Sequence, residues 1–169
     1  YNGEIRYLVQ EDESRETFTY YPGNGFSKNS VAKTQTICLD SRKYNTVAYN
    51  IDDNNYFKLR DIAQILNGTI KTFDVKYDGA TNSIDMLSFY DYTSVGGELT
   101  PGDDVTRTAF SSSAFLTLDG VPIKATCYNI DGNNYFKLRD ITDALDCRVE
   151  WDDNNQLIWV VPSVPAYDD

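Results

Sequence analysis

The sequence predicts an α+β protein: two tandem β-β-β-α-β-β modules, each an antiparallel sheet with one short helix, plus an N-terminal β-hairpin. Three observations carry that expectation. Residues 49–62, YNIDDNNYFKLRDI, return as YNIDGNNYFKLRDI at 128–141, with 13 of 14 positions identical. Within each copy the apolar spacing switches from two to the helical i, i+3, i+4, i+7, as when a strand runs into a helix. Beyond each helix lies an alternating stretch interrupted by a turn, the pattern of a hairpin. Repetition on this scale decides the whole fold, so it takes precedence over local propensity.

The elements follow in order. Residues 1–35 hold Glu4 to Val9 and Thr17 to Tyr21, two strand-like runs around an acidic turn, and form the hairpin segment. Repeat 1 covers 36–88 and opens on a short strand with Ile37 and Leu39 two apart. A second strand carries Val47 to Ile51, and Asp52-Asp53-Asn54-Asn55 then supplies residues that tolerate positive φ and close hairpins. The lone difference in the repeated stretch, Asp53 against Gly132, falls in this turn, where glycine reaches left-handed geometry without a Cβ clash. After Tyr56-Phe57, the stripe Leu59, Ile62, Ala63 and Leu66 predicts a helix too short to stand alone in water, so it must pack on the sheet. Phe73 to Tyr77, a turn at 78–82 and Ser83 to Leu87 close the unit.

Residues 89–114 contain Gly96-Gly97, Pro101-Gly102 and Ser111-Ser112-Ser113, the composition of a connector. Repeat 2 covers 115–162, with Leu116 and Leu118, then Thr126 to Ile130, the turn at Asp131-Gly132, and the stripe Leu138, Ile141, Thr142 and Leu145. Arg148 to Trp151 and Gln156 to Val161 form its closing hairpin, and residues 163–169 form a tail. Equivalent residues lie 79 positions apart before the helix and 74 after it, because the second copy lacks five residues. Copies this small bury little surface singly, so they are expected to share support.

Charge and composition exclude several functions. With 15 basic and 26 acidic residues the net charge is −11, and the few bases are scattered, so nucleic acid is not expected as a partner. No apolar run is long enough to cross a bilayer. The chain opens abruptly at Tyr1 without a visible signal peptide and is read as a processed or excised piece. Cys38, Cys127 and Cys147 follow no metal-ligand spacing. Register puts Cys127 in a strand and Cys147 just after a helix, so a disulfide closing repeat 2 stands beside the plainer reading of buried free thiols.

The sequence contains no histidine, which removes Ser-His-Asp and Cys-His arrangements, and no Gly-rich phosphate loop is present. Its acids sit largely in turns, and the Asp-Asn turns lack the ligand spacing of a calcium loop. The expectation is therefore a non-enzyme with no cofactor and no metal. Binding candidates come from the last strand, where Ile84 and Met86 align with Ile158 and Val160 and face the core. The opposite face is Ser83, Asp85 and Leu87 in repeat 1 but Leu157, Trp159 and Val161 in repeat 2, an apolar stripe on a face meant for solvent. That stripe either packs under the connector or N-terminal hairpin, or binds a partner. Tyr90, Tyr92, Tyr20 and Tyr21 are further candidates of the same kind.

Tyr56 to Ile62 with Val75-Lys76-Tyr77-Asp78, and Tyr135 to Ile141 with Val149-Glu150-Trp151-Asp152, resemble the copper amine oxidase N-terminal-like domain, also called the stalk domain. Val95-Gly96-Gly97-Glu98-Leu99 is similar to the connector between tandem copies in secreted proteins of clostridia and related Gram-positive bacteria. Departures are mild: Tyr77 stands where Trp151 stands, and Lys58 and Lys137 replace a common proline. The resemblance leaves residues 1–33 outside it. It implies a non-catalytic accessory domain, secreted or on the cell surface, because the oxidase reaction belongs to a separate domain with copper-binding histidines. Taken together, the expected function is attachment or recognition outside the cell through a protein partner. That partner would be a host protein, such as an immunoglobulin or mucosal glycoprotein, or a bacterial surface component. The alternatives are a carbohydrate-binding module of a secreted enzyme and an inert spacer.

Overall fold

The computed structural model describes residues 27–163. The N-terminal hairpin expected at 4–9 and 17–21, with Tyr20 and Tyr21, lies outside them. In chain order the strands and helices are β1 (Ser27–Val31), β2 (Lys33–Leu39), β3 (Arg42–Ile51), β4 (Asn54–Lys58), α1 (Leu59–Leu66), β5 (Phe73–Asp78) and β6 (Ser83–Ser88). They continue as β7 (Thr106–Ser111), β8 (Phe115–Leu118), β9 (Val121–Pro122), β10 (Cys127–Ile130), β11 (Asn133–Lys137), α2 (Leu138–Ala144), β12 (Arg148–Asp152) and β13 (Leu157–Val161). The class is α+β, mostly sheet with two short helices.

Local chemistry explains the element boundaries. The β3–β4 turn holds Asp52 at φ 52° and Asp53 at φ 66°, and the β10–β11 turn holds Asp131 at 52° and Gly132 at 86°. Two consecutive positive φ values define the type I′ turn whose twist matches flanking strands. Across each hairpin the repeated asparagines bond as a pair: Asn50 Nδ2 to Asn55 Oδ1 at 3.1 Å, and Asn129 Nδ2 to Asn134 Oδ1 at 3.2 Å. Both helices bury the stripe expected of them, Leu59, Ile62, Ala63 and Leu66 in α1 and Leu138, Ile141 and Thr142 in α2.

Sheet pairing departs from the expectation that each repeat closes its own antiparallel sheet. One sheet has nine strands in the order β1-β7-β10-β11-β4-β3-β2-β13-β12, and a second has four in the order β5-β6-β8-β9. The closing hairpin of each repeat joins the other repeat. β13 lies parallel to β2, with Ile158 opposite Ile37, and β6 lies parallel to β8, with Ile84 opposite Leu116. These two junctions use equivalent residues, so a pseudo-two-fold relates them.

The axis passes between β4 and β11, which pair antiparallel with Phe57 opposite its own copy, Phe136. Tyr135 faces Lys58 and Tyr56 faces Lys137, the reciprocal contacts that an isologous interface requires. Both phenylalanines are fully buried in one apolar core drawn from both repeats, both helices and both sheets. On the other face, Tyr49 meets Tyr135 edge-to-face at 5.0 Å and Tyr56 meets Tyr128 at 5.1 Å, again a symmetric exchange of equivalents.

Two strands lie outside both repeats. β1 pairs with β7, which pairs with β10, and the sheet curls until Ser30 Oγ in β1 donates to the Asn50 carbonyl of β3 at 2.9 Å. This encloses a second core of Ala32, Val47, Tyr49, Ile51, Ala109 and Ile130 with the tyrosines. Arg107 of β7 caps it, donating to Tyr49 Oη at 3.2 Å and bidentately to Asp103.

The exchange makes a stability test. Phe57→Ala and Phe136→Ala are each expected to cost about 3–5 kcal/mol by urea unfolding. The double variant should cost less than their sum, since the two rings share one site. Residues 27–111 alone, which keep all of repeat 1, should give no cooperative thermal transition; a cooperative melt would show that repeat 1 is self-contained.

Candidate functional site

The residues singled out by sequence scatter over the molecule. Leu157, Trp159 and Val161 lie on β13, an interior strand between β2 and β12, and all three are half-buried. Trp159 stands in register with buried Cys38 and with Glu150, and its indole contributes to lowering the Asp152 carboxyl. Asn155 donates to Asp152 through its amide side chain and backbone and, with that indole, holds the Asp152 carboxyl below its ordinary range. The stripe is part of a bonded surface and offers no free strand edge.

Tyr92 is buried and plays a structural part. Its hydroxyl donates to Glu98, accepts from Arg60 at 3.3 Å, and its ring lies under the Arg60 guanidinium at 5.9 Å. Glu98 also accepts from the amides of Val95 at 2.8 Å and Gly96 at 2.9 Å. Partial burial pushes its carboxyl up, but these donors outweigh that and hold it at about 2. Gly96 and Gly97 sit at φ 100° and 86°, where a side chain would be strained, so the Val-Gly-Gly-Glu-Leu stretch has a conformational reason. The next residue, Leu99, donates its amide to Asp61 Oδ1 at 3.0 Å, while Thr46 Oγ1 donates to Asp61 Oδ2. Burial raises the Asp61 carboxyl despite those two bonds. The connector is thus clasped to the start of α1.

Two surfaces among the described residues are of a kind that meets a ligand, beside a smaller depression at Tyr77. The first is a set of exposed apolar side chains on adjoining turns. Tyr90 is exposed, and with it Ile70 and Phe89, the last 82% exposed. Phe89 N donates to the Thr72 carbonyl at 2.9 Å and Thr72 Oγ1 to the Tyr90 carbonyl at 3.2 Å, which draws the two turns together. The second is a groove enclosing about 640 Å³ between β2–β3, the start of α2 and β12. Buried Ala48, Leu138 and Ile158 supply its apolar lining, and Trp151, 44% exposed, supplies an aromatic ring. Sequence reasoning passed over both Trp151 and Phe89. The available signal was positional: Trp151 and Tyr77 occupy the same repeat position, so the aromatic there is duplicated.

The three cysteines are free and buried, so the Cys127–Cys147 disulfide is not formed. Burial pushes the Cys127 thiol up to about 12 and Cys147 up to about 11, which keeps both protonated at neutral pH. Among the described residues, no group of three or more Cys, Asp or Glu side chains is placed to hold a metal, and no helix is long and apolar enough to cross a membrane. No family model, curated protein or solved structure matches the chain.

The clasp predicts pH behaviour. Glu98 has a depressed carboxyl, so its contribution is fully present above its ordinary value of 4.5 and is lost as pH falls towards about 2. Asp61 has the opposite sign, so its ionisation opposes folding as pH rises past 3.8. Glu98→Gln should therefore flatten the acid limb of a stability-versus-pH curve. At pH 7, Asp61→Ala should cost about 1–3 kcal/mol, and Asp61→Asn, which keeps an acceptor for the Leu99 amide, should cost less. Equal losses for the two variants would show that packing, not hydrogen bonding, sets the effect.

Proposed function

We propose that the chain is a non-catalytic recognition module of a secreted or cell-surface bacterial protein, and that it attaches by binding a protein partner. Two copies of a stalk-type β-β-β-α-β-β unit, as the sequence resemblance implies, build its scaffold. The partner is a host protein, such as an immunoglobulin or mucosal glycoprotein, or another bacterial surface component.

The observation that carries this reading is the Ile70, Phe89 and Tyr90 patch. Ile70, Phe89 and Tyr90 are exposed on turns that Thr72 ties together, and large apolar side chains exposed on adjoining turns favour a protein contact. Phe89 adds a second argument. It holds φ 69°, a conformation that costs a non-glycine residue about 1–2 kcal/mol. Strain of this kind persists where surrounding structure enforces it and clusters at functional positions. A bulky, strained and exposed ring does little for folding, so a partner is the reason that fits. The exposed ring of Trp151 favours the carbohydrate alternative on a different surface.

Phe89→Gly tests the reading, because glycine relieves the left-handed strain while deleting the ring. Immobilised protein should retain one class of serum, mucosal or bacterial surface protein at physiological salt, and Phe89→Gly should abolish that retention without lowering the melting temperature. Retention unaffected by Phe89→Gly and Tyr90→Ala, or no retained protein, would sink it.

A further inference from the structure

We propose that the groove beside Trp151, with its counterpart beside Tyr77, binds a neutral oligosaccharide. This goes beyond the protein-binding reading and uses a separate surface. Trp151 pairs with Ile158, and Tyr77 with Ile84, so both rings stand on the core-side register of their strands. Their inward neighbours two residues earlier, Val149 and Val75, pack against the core. Yet Trp151 is 44% and Tyr77 57% exposed. The strands run past the end of the core and present each ring in a depression.

The two depressions are related by the repeat. The one at Tyr77 encloses about 490 Å³ and shares three equivalent positions with the larger groove: Lys76 with Glu150, Tyr77 with Trp151, and Ile84 with Ile158. The Trp151 ring is held in place, since its Nε1 donates to Asp153 Oδ1 at 3.3 Å, and the Tyr77 ring lies beside Gly79. A ring fixed before binding loses little entropy on contact.

The polar lining selects the ligand class. The Trp151 groove offers donors from Lys137 and Arg139, acceptors from Asp53 and Glu150, and what capacity the mutually bonded Asn50 and Asn55 amides have left. Among the described residues neither Lys137 nor Arg139 has a salt-bridge partner. Charges of both signs in one groove oppose a strongly ionic ligand. A sugar hydroxyl donates and accepts at once and satisfies either sign, while the C–H face of a pyranose stacks on an indole or phenol. The volume lies within the range of about 300–1,000 Å³ typical of small-ligand sites. Two such sites on one molecule would act together on a polysaccharide, where linkage raises avidity by about a hundredfold or more.

Affinity electrophoresis through gels containing neutral glucans, xylans, mannans or galactans tests this, with acidic polygalacturonate as a control. At least one neutral polysaccharide should retard the chain. Trp151→Ala and Tyr77→Ala should each weaken retardation by about tenfold or more, and the double variant should abolish it. Phe89→Gly should leave it unchanged, which separates this site from the protein patch. In a Trp159→Phe background, the matching neutral oligosaccharide should also shift the emission of Trp151, a readout that needs no alanine variant to fold. No retardation by any neutral glycan, retardation that survives in the double variant, or retention by polygalacturonate alone would overturn the proposal.

Discussion

The pairing of β4 with β11 is the constraint on which the rest of the structure depends. A residue that sits on a two-fold axis meets its own equivalent, so its side chain must be complementary to itself. Phe57 opposite Phe136 satisfies that condition with two fully buried rings. The reciprocal tyrosine pairs on the other face satisfy it again, since Tyr49 takes the copy of Tyr56 and Tyr56 takes the copy of Tyr49. Once this seam forms, β13 reaches β2 and β6 reaches β8, and both parallel junctions follow from the same symmetry. The near-identity of residues 49–62 and 128–141 is what such an interface asks of a single chain.

The exchange also changes the meaning of each repeat. Neither copy completes a sheet from its own strands, so each depends on the hairpin lent by the other. That solves the problem of size, because a unit of this length buries too little surface alone. It leaves the connector with a definite task. Residues 89–105 must carry the chain from the end of β6 back across α1, and Glu98 and Asp61 secure that path through backbone amides. The carboxylate Asp61 is duplicated as Asp140, but Asp140 instead accepts the amide of Thr126 at 2.8 Å. One copied residue thus serves two local purposes once its surroundings diverge.

How much of this was legible follows from what each signal encodes. The type I′ turns were readable because Asp-Asp and Asp-Gly favour positive φ, and the helix stripes because spacing fixes which face is buried. Spacing does not say which strand becomes a neighbour, so the exchange of hairpins was not readable. β1 and β7 escaped because Ser27–Val31 and Thr106–Ser111 are short and polar, with Ala109 and Ser30 their buried positions. The stripe at Leu157, Trp159 and Val161 was correctly placed on the face opposite Ile158. Its strand was taken for a local one, whereas β13 lies inside the nine-stranded sheet. Tyr92 reads as a binding candidate because composition shows a connector with turns but not its contacts, and Arg60 and Glu98 hold the ring at the core's edge.

Symmetry finally indicates where recognition should be sought. Several residues identical in the two copies serve the axis and its turns: the central phenylalanines, the tyrosines and the asparagine pairs each have a partner inside the molecule. The informative positions are those where the copies differ, or agree only in kind, and where the side chain is exposed. Phe89 and Tyr90 align with Ser163 and Val164, so that aromatic pair occurs in one copy alone. Tyr77 and Trp151 agree only in being aromatic, which the core does not require, since both rings stand largely outside it. A unique patch suits one docking event, and a pair of similar rings suits a repetitive ligand.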